Sequence, residues 1–133
     1  MTTSNRRKFL GTAAALVAGA AAAKAGAPAA PQPLIHHAIF WLKHPQSTED
    51  RDKLVEGVKT LGQIPTVQSL HVGIVASTEK RDVVDNSWGV SEVMFFKDLA
   101  GQATYQTHPV HLAFVKNYAH LWEKVVVYDA ATV

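Results

Sequence analysis

Tyr105-Gln106-Thr107-His108-Pro109-Val110-His111 sets a phenol and two imidazoles within seven residues, with a proline fixing the backbone between them. Proline suits the first position of a helix, where its missing N–H would have had no partner. A helix is therefore predicted from Pro109 to about Trp122, with His108 at its cap and His111 in its first turn. Phe114, Val115, Tyr118 and Trp122 follow at helical spacing, so His111 points where the buried face points. The positive end of the helix dipole disfavours an imidazolium there. A neutral imidazole with a tyrosine hydroxyl one turn upstream suits a general base beside a hydrogen-bonding acid. The plainer alternative is a buried histidine bonded to a main-chain carbonyl, with His108 as an ordinary cap.

Around this stretch the chain supplies the elements of one α+β domain. Leu34 to Lys43 reads as a strand with apolar side chains on both faces, His37, Ile39 and Trp41 on one and His36, Ala38, Phe40 and Leu42 on the other. Ser47 caps a helix whose buried stripe is Leu54, Val55, Val58 and Leu61, and Gly62 and Pro65 end it. Val67 to Ala76 and Trp88 to Lys97 are strands separated by a polar loop. Asp98 caps a short helix carrying Tyr105, and Glu123 to Ala130 is the last strand. The order β-α-β-β-α-β is that of the ferredoxin-like arrangement. Its sheet has helices on one face, so the second apolar face calls for a cover, and a second copy of the chain is the simplest one.

Glu92 falls on the strand face of Val90, Met94 and Phe96, the face expected to be buried. A buried carboxylate needs a partner or a proton. It is read either as a catalytic group orienting His111 or His37, or as a rim glutamate paired with a lysine. His37, Trp41, His108 and Phe114 are expected to line a substrate pocket. His36 and His71 are expected on the dimer side.

With 133 residues the chain makes one folded domain. It has no cysteine, which excludes disulfides, thiolate metal sites, a cysteine nucleophile and a lipoprotein anchor. Seven histidines would suit zinc or copper, yet no pair has the i, i+4 spacing of a helical ligand set, so no metal or cofactor is assigned. Residues 1–30 have the anatomy of an export signal and linker: Arg6-Arg7-Lys8, then a short alanine-rich apolar run, then small-residue exits at Ala23-Lys24-Ala25 and Ala27-Pro28-Ala29. The arginine pair resembles a twin-arginine signal, which predicts a periplasmic or secreted protein with no membrane anchor after cleavage. Four of the thirteen lysines and arginines lie in this segment, leaving nine against eleven acidic residues in the mature part. That balance, with no basic stripe, excludes a nucleic-acid partner.

The domain over residues 31–133 resembles the stress-responsive α/β-barrel (Dabb) family. The matching features are His36-His37 opening the first strand, Ile64-Pro65, Gly73, and Met94 to Asp98. To these add the His108-Pro109-Val110-His111 block with Phe114 after it, and Asp129 near the end. The resemblance implies a ferredoxin-like subunit that dimerises sheet to sheet into a dimeric α+β barrel, with a pocket between sheet and helices. A plant subset of the family acts as cofactor-free polyketide cyclases using a tyrosine and a histidine. By motif position these fall on Tyr105 and His111, and a first-strand pocket histidine falls on His37. One departure marks this chain: Trp88-Gly89-Val90 lacks the histidine that the family often has there, and Glu92 stands at a position that is usually apolar.

The expectation is thus an exported homodimer binding a small apolar or aromatic molecule, with Tyr105, His111 and Glu92 moving protons in a cyclase, isomerase or lyase step. The alternatives are a non-catalytic stress or ligand-binding module, and a haem or metal enzyme of the kind that related dimeric barrels form.

Overall fold

The structure is a computed structural model and describes residues 33–133. The export segment expected over residues 1–30 lies outside them. The described chain runs β1 (Leu34–Leu42), α1 (Thr48–Thr60), β2 (Val67–Ile74), β3 (Val90–Phe96), α2 (Leu99–Thr107), α3 (Pro109–Tyr118) and β4 (Trp122–Ala131). Short 3-10 turns at Leu61–Gln63 and Ala119–Leu121 end α1 and α3. The four strands form one antiparallel sheet in the order β2-β3-β1-β4. This is the ferredoxin-like α+β fold that the element order predicts.

The local signals act as their chemistry requires. Ser47 accepts from the Asp50 N–H at 3.1 Å and starts α1, with Glu49 and Asp50 complementing the positive end of its dipole. Asp98 accepts from the Gly101 N–H at 2.8 Å and starts α2. The predicted last helix is shorter than expected. It stops at Tyr118, and Trp122 belongs to β4 instead.

The core lies between the sheet and the helices. Leu34, Ala38, Phe40 and Leu42 of β1 meet Val90, Met94 and Phe96 of β3, with Leu54 and Val58 of α1, Tyr105 of α2 and Phe114 of α3 above them. Helices α1 and α3 approach closely at Gly57, where a Cβ would stand 2.7 Å from the Tyr118 ring. The opposite sheet face carries no helix among the described residues and exposes Ile35, Phe95 and Tyr128.

Candidate functional site

Two helices and three strands build a cleft of about 480 Å³. Its walls are Phe40 and Ala38 of β1, Phe114 and Val115 of α3, and Trp122, Val125 and Val127 of β4. One end is polar: His36, Glu92, Tyr105, His111 and Asp129 meet there from five different elements.

The junction of α2 and α3 sets the first pair. Pro109 denies His108 the helical conformation, so α2 stops and the chain turns through an extended residue (φ −65°, ψ 140°). The His108 N–H bonds the Tyr105 carbonyl at 3.1 Å, and its Nδ1 accepts from the Val110 N–H at 3.1 Å. His108 thus closes one helix and opens the next. The break brings the rings of Tyr105 and His111 to 4.7 Å between centroids, tilted by 58°. Burial holds His111 below the ordinary imidazole range, opposed by the main chain of Gln106 and aided by His36. Its Nδ1 is buried with no hydrogen-bond partner among the described residues.

The sheet register sets the rest. Ala38 of β1 lies opposite Glu92 of β3 on one side and Val127 of β4 on the other, and His36 lies opposite Asp129. Residues that pair across strands share a face. Glu92 is therefore carried inward, and only 2% of it is exposed. The Tyr105 hydroxyl donates to its Oε1 at 3.2 Å. Burial pushes the Glu92 carboxyl up to about 7, and the Tyr105 hydrogen bond offsets only part of that rise. Burial and the neighbouring Glu92 likewise drive the Tyr105 phenol far above its usual range, so it keeps its proton. His36 stands between two carboxyls. Its Nδ1 is 2.6 Å from Asp129 Oδ1, and its Nε2 is 3.7 Å from Glu92 Oε1. A carboxylate only accepts, so the short contact is the His36 Nδ1–H donating to Asp129, while Nε2 is turned toward Glu92. Contacts thus run continuously from Tyr105 through Glu92 and His36 to Asp129.

This arrangement brings together Tyr105, His111, Glu92 and Phe114 in one cleft. It places the other residues differently from the sequence reading, His36 among them, which lies in the cleft and not on the dimer side. His37 lies on the outer sheet face, where its Nε2 meets Ser91 Oγ at 3.0 Å, and His36 takes its place in the cleft. Trp41 shares that outer parity; its indole donates to Ser87 Oγ at 3.0 Å and Lys124 sits 4.6 Å above its ring. His108 spends its imidazole on the helix cap and does not line the cleft. Glu92 is neither a rim residue nor a partner of His111 or His37; it bonds Tyr105 and faces His36. Asp129 escapes a reading by type alone, because only the β1–β4 register shows that it stands beside His36.

Among the described residues, no group of three or more His, Asp or Glu is placed to hold a metal ion. Nor is any described helix long and apolar enough to cross a membrane.

Comparison with known proteins agrees with the fold. A Dabb family protein with a ferredoxin-like fold from Mesorhizobium loti superposes with a TM-score of 0.62 at 25% identity, over 77% of this chain and 98% of that one. A hydroxynitrile lyase from Passiflora edulis superposes with a TM-score of 0.65 at 20% identity, over 77% and 95%. A dimeric ferredoxin-like protein of unknown function from Thermobifida fusca gives 0.62 at 18% identity, over 75% and 91%. The last two show a shared fold alone. No curated protein matches the chain in sequence. The stress responsive A/B barrel domain (Dabb) matches residues 34–132, nearly the whole described chain, and the protein belongs to that family.

Proposed function

We propose that the cleft binds a small apolar or aromatic molecule and moves a proton on it, without a cofactor, in a cyclase, isomerase or lyase type of step. The observation that carries this reading is the polar end itself. A neutral His111 with a free Nδ1 stands beside a phenol and a carboxyl that titrates near neutrality, at the end of an otherwise apolar cleft. His111 takes a proton from carbon or oxygen. Tyr105 and Glu92 supply hydrogen bonds, or a proton, to the oxygen where negative charge gathers. Asp129 positions His36 by holding its ring.

The test needs no natural substrate. 2-Acetonaphthone has an exchangeable methyl group next to its carbonyl. In heavy water His111 removes one methyl proton, the enolate oxygen is held by Tyr105 and Glu92, and a deuteron returns to carbon. The protein is expected to speed this exchange over buffer, by NMR, and His111→Gln to lose on the order of 10²-fold of that gain. An exchange rate equal to buffer, or one unchanged in both His111→Gln and Tyr105→Phe, refutes the reading. Mandelonitrile cleavage is the second assay, chosen because a hydroxynitrile lyase shares the fold.

The same reading makes the mature protein an exported homodimer. The apolar outer face with Ile35, Phe95 and Tyr128 supports a second copy there, as does the dimeric relative. The twin arginines support export to the periplasm or beyond. Native mass spectrometry of the exported protein tests assembly. Replacing Arg6 and Arg7 by lysine, with retention of the precursor in the cytoplasm expected, tests the route.

A further inference from the structure

Resting on the ligand-binding reading above, we infer that the cleft takes an uncharged aromatic carbonyl compound rather than an organic acid, and that Glu92 makes this choice.

The charges at the cleft decide the point. Its lining contains two carboxyl groups, Glu92 and Asp129, and no lysine or arginine. A carboxylate ligand brought to the polar end would lose its water with no lysine or arginine to replace it, and it would stand close to the Asp129 carboxyl. A ligand with one carbonyl oxygen meets complementary groups instead. The Tyr105 hydroxyl holds Glu92 Oε1, and Oε2 forms no hydrogen bond among the described residues. In its protonated form Glu92 is therefore a hydrogen-bond donor at the polar end of a cleft whose apolar walls include Phe114 and Trp122. An ammonium ligand is less well served. It would need Glu92 ionised at 2% exposure, and the other carboxylate, Asp129, is already engaged by His36.

The groups facing Glu92 are His36 from β1, Asp129 from β4, Tyr105 from α2 and His111 from α3, so more than one can titrate with ligand binding. Substitution Glu92→Gln separates them. The amide keeps the size and an N–H donor but cannot ionise.

The experiment measures calorimetric affinity of the purified protein for three probes sharing one ring system: 2-acetonaphthone, 2-naphthoate and 2-naphthylmethylamine. Affinity for the ketone is expected to be highest near pH 6 and to fall about tenfold by about pH 8, as the donating form is depleted. In Glu92→Gln the ketone is expected to bind with little pH dependence. Naphthoate is expected to bind at least about tenfold more weakly than the ketone to the native protein, an anion having no counter-charge there. Naphthoate binding as tightly as the ketone, the amine binding tightest, or a pH profile that survives Glu92→Gln each overturns the inference while leaving the ligand-binding cleft standing. Binding of none of the three to folded protein overturns the cleft reading itself, and this inference with it.

Discussion

Glu92 makes stability depend on pH in an uncommon direction for a carboxylate. Burial raises its carboxyl from 4.5 to about 7 in the folded protein. The folded state then binds a proton that the unfolded state has released, so stability falls as pH rises between those two values. The contribution is fully present below about 4.5, declines by about 1.4 kcal/mol per pH step, and is gone above about 7. The whole change is about 3 kcal/mol, a large part of the stability of a domain this size. Glu92→Gln removes it, because the amide fills the same place and still accepts from the Tyr105 hydroxyl. Urea unfolding followed by tryptophan fluorescence, on native and Glu92→Gln protein from about pH 4.5 to 8, measures the difference. His111, lowered by burial, adds a slope of the opposite sign, since an imidazole buried neutral gains stability as pH rises. That slope is common to both proteins and cancels to first order in their difference. The expected difference moves in favour of the glutamine protein by about 3 kcal/mol across the window. A difference flat to within about 0.5 kcal/mol would show that Glu92 titrates as an ordinary surface carboxyl, and the reasoning from its burial would be refuted.

Tyr105→Phe removes the hydrogen bond that offsets the burial of Glu92. It should cost about 1–2 kcal/mol in urea unfolding, and move the Glu92 carbonyl-carbon NMR titration midpoint upward. Gly57→Ala would set a methyl 2.7 Å from the Tyr118 ring. Overpacking should outweigh the better helix propensity and leave a net loss of about 1–2 kcal/mol, read from the same unfolding curves. His108→Ala should lose about 1 kcal/mol of stability as a helix cap. Its ketone exchange per folded molecule should stay at the native rate, because His108 does not line the cleft.

Much of the fold was legible because each signal is local. Ser47 and Asp98 mark helix starts through hydrogen bonds that reach three residues, and Pro109 marks one through its fixed backbone angle; the structure places helices there. Tyr105 and His111 were legible for the same reason, being joined by one short turn. What stayed hidden was the parity of β1. Both of its faces carry apolar groups, so periodicity separates His36 from His37 without saying which one faces in. The face of β3 was plain from Val90, Met94 and Phe96. Carrying it across to β1 requires the pairing of Ala38 with Glu92, a contact between residues far apart in the chain. Asp129 was hidden for the same reason, since its role exists only through its pairing with His36.

That pairing also bears on when the site comes into being. Strand β1 opens the domain and β4 closes it, with Leu34 paired to Ala131 and the Thr132 N–H bonded to the Pro33 carbonyl at 3.0 Å. Closing so long a loop is entropically among the slowest contacts a chain can make, while β2–β3 and the α2–α3 turn form between nearer neighbours. The zipping of β4 onto β1 is therefore expected late in folding, to be read from the protection of β4 amides in pulsed hydrogen exchange. It is also the event that sets Asp129 beside His36 and raises the Val125–Val127 wall of the cleft. A C-terminally clipped chain would carry every other polar group of the site and still lack one wall of the cleft.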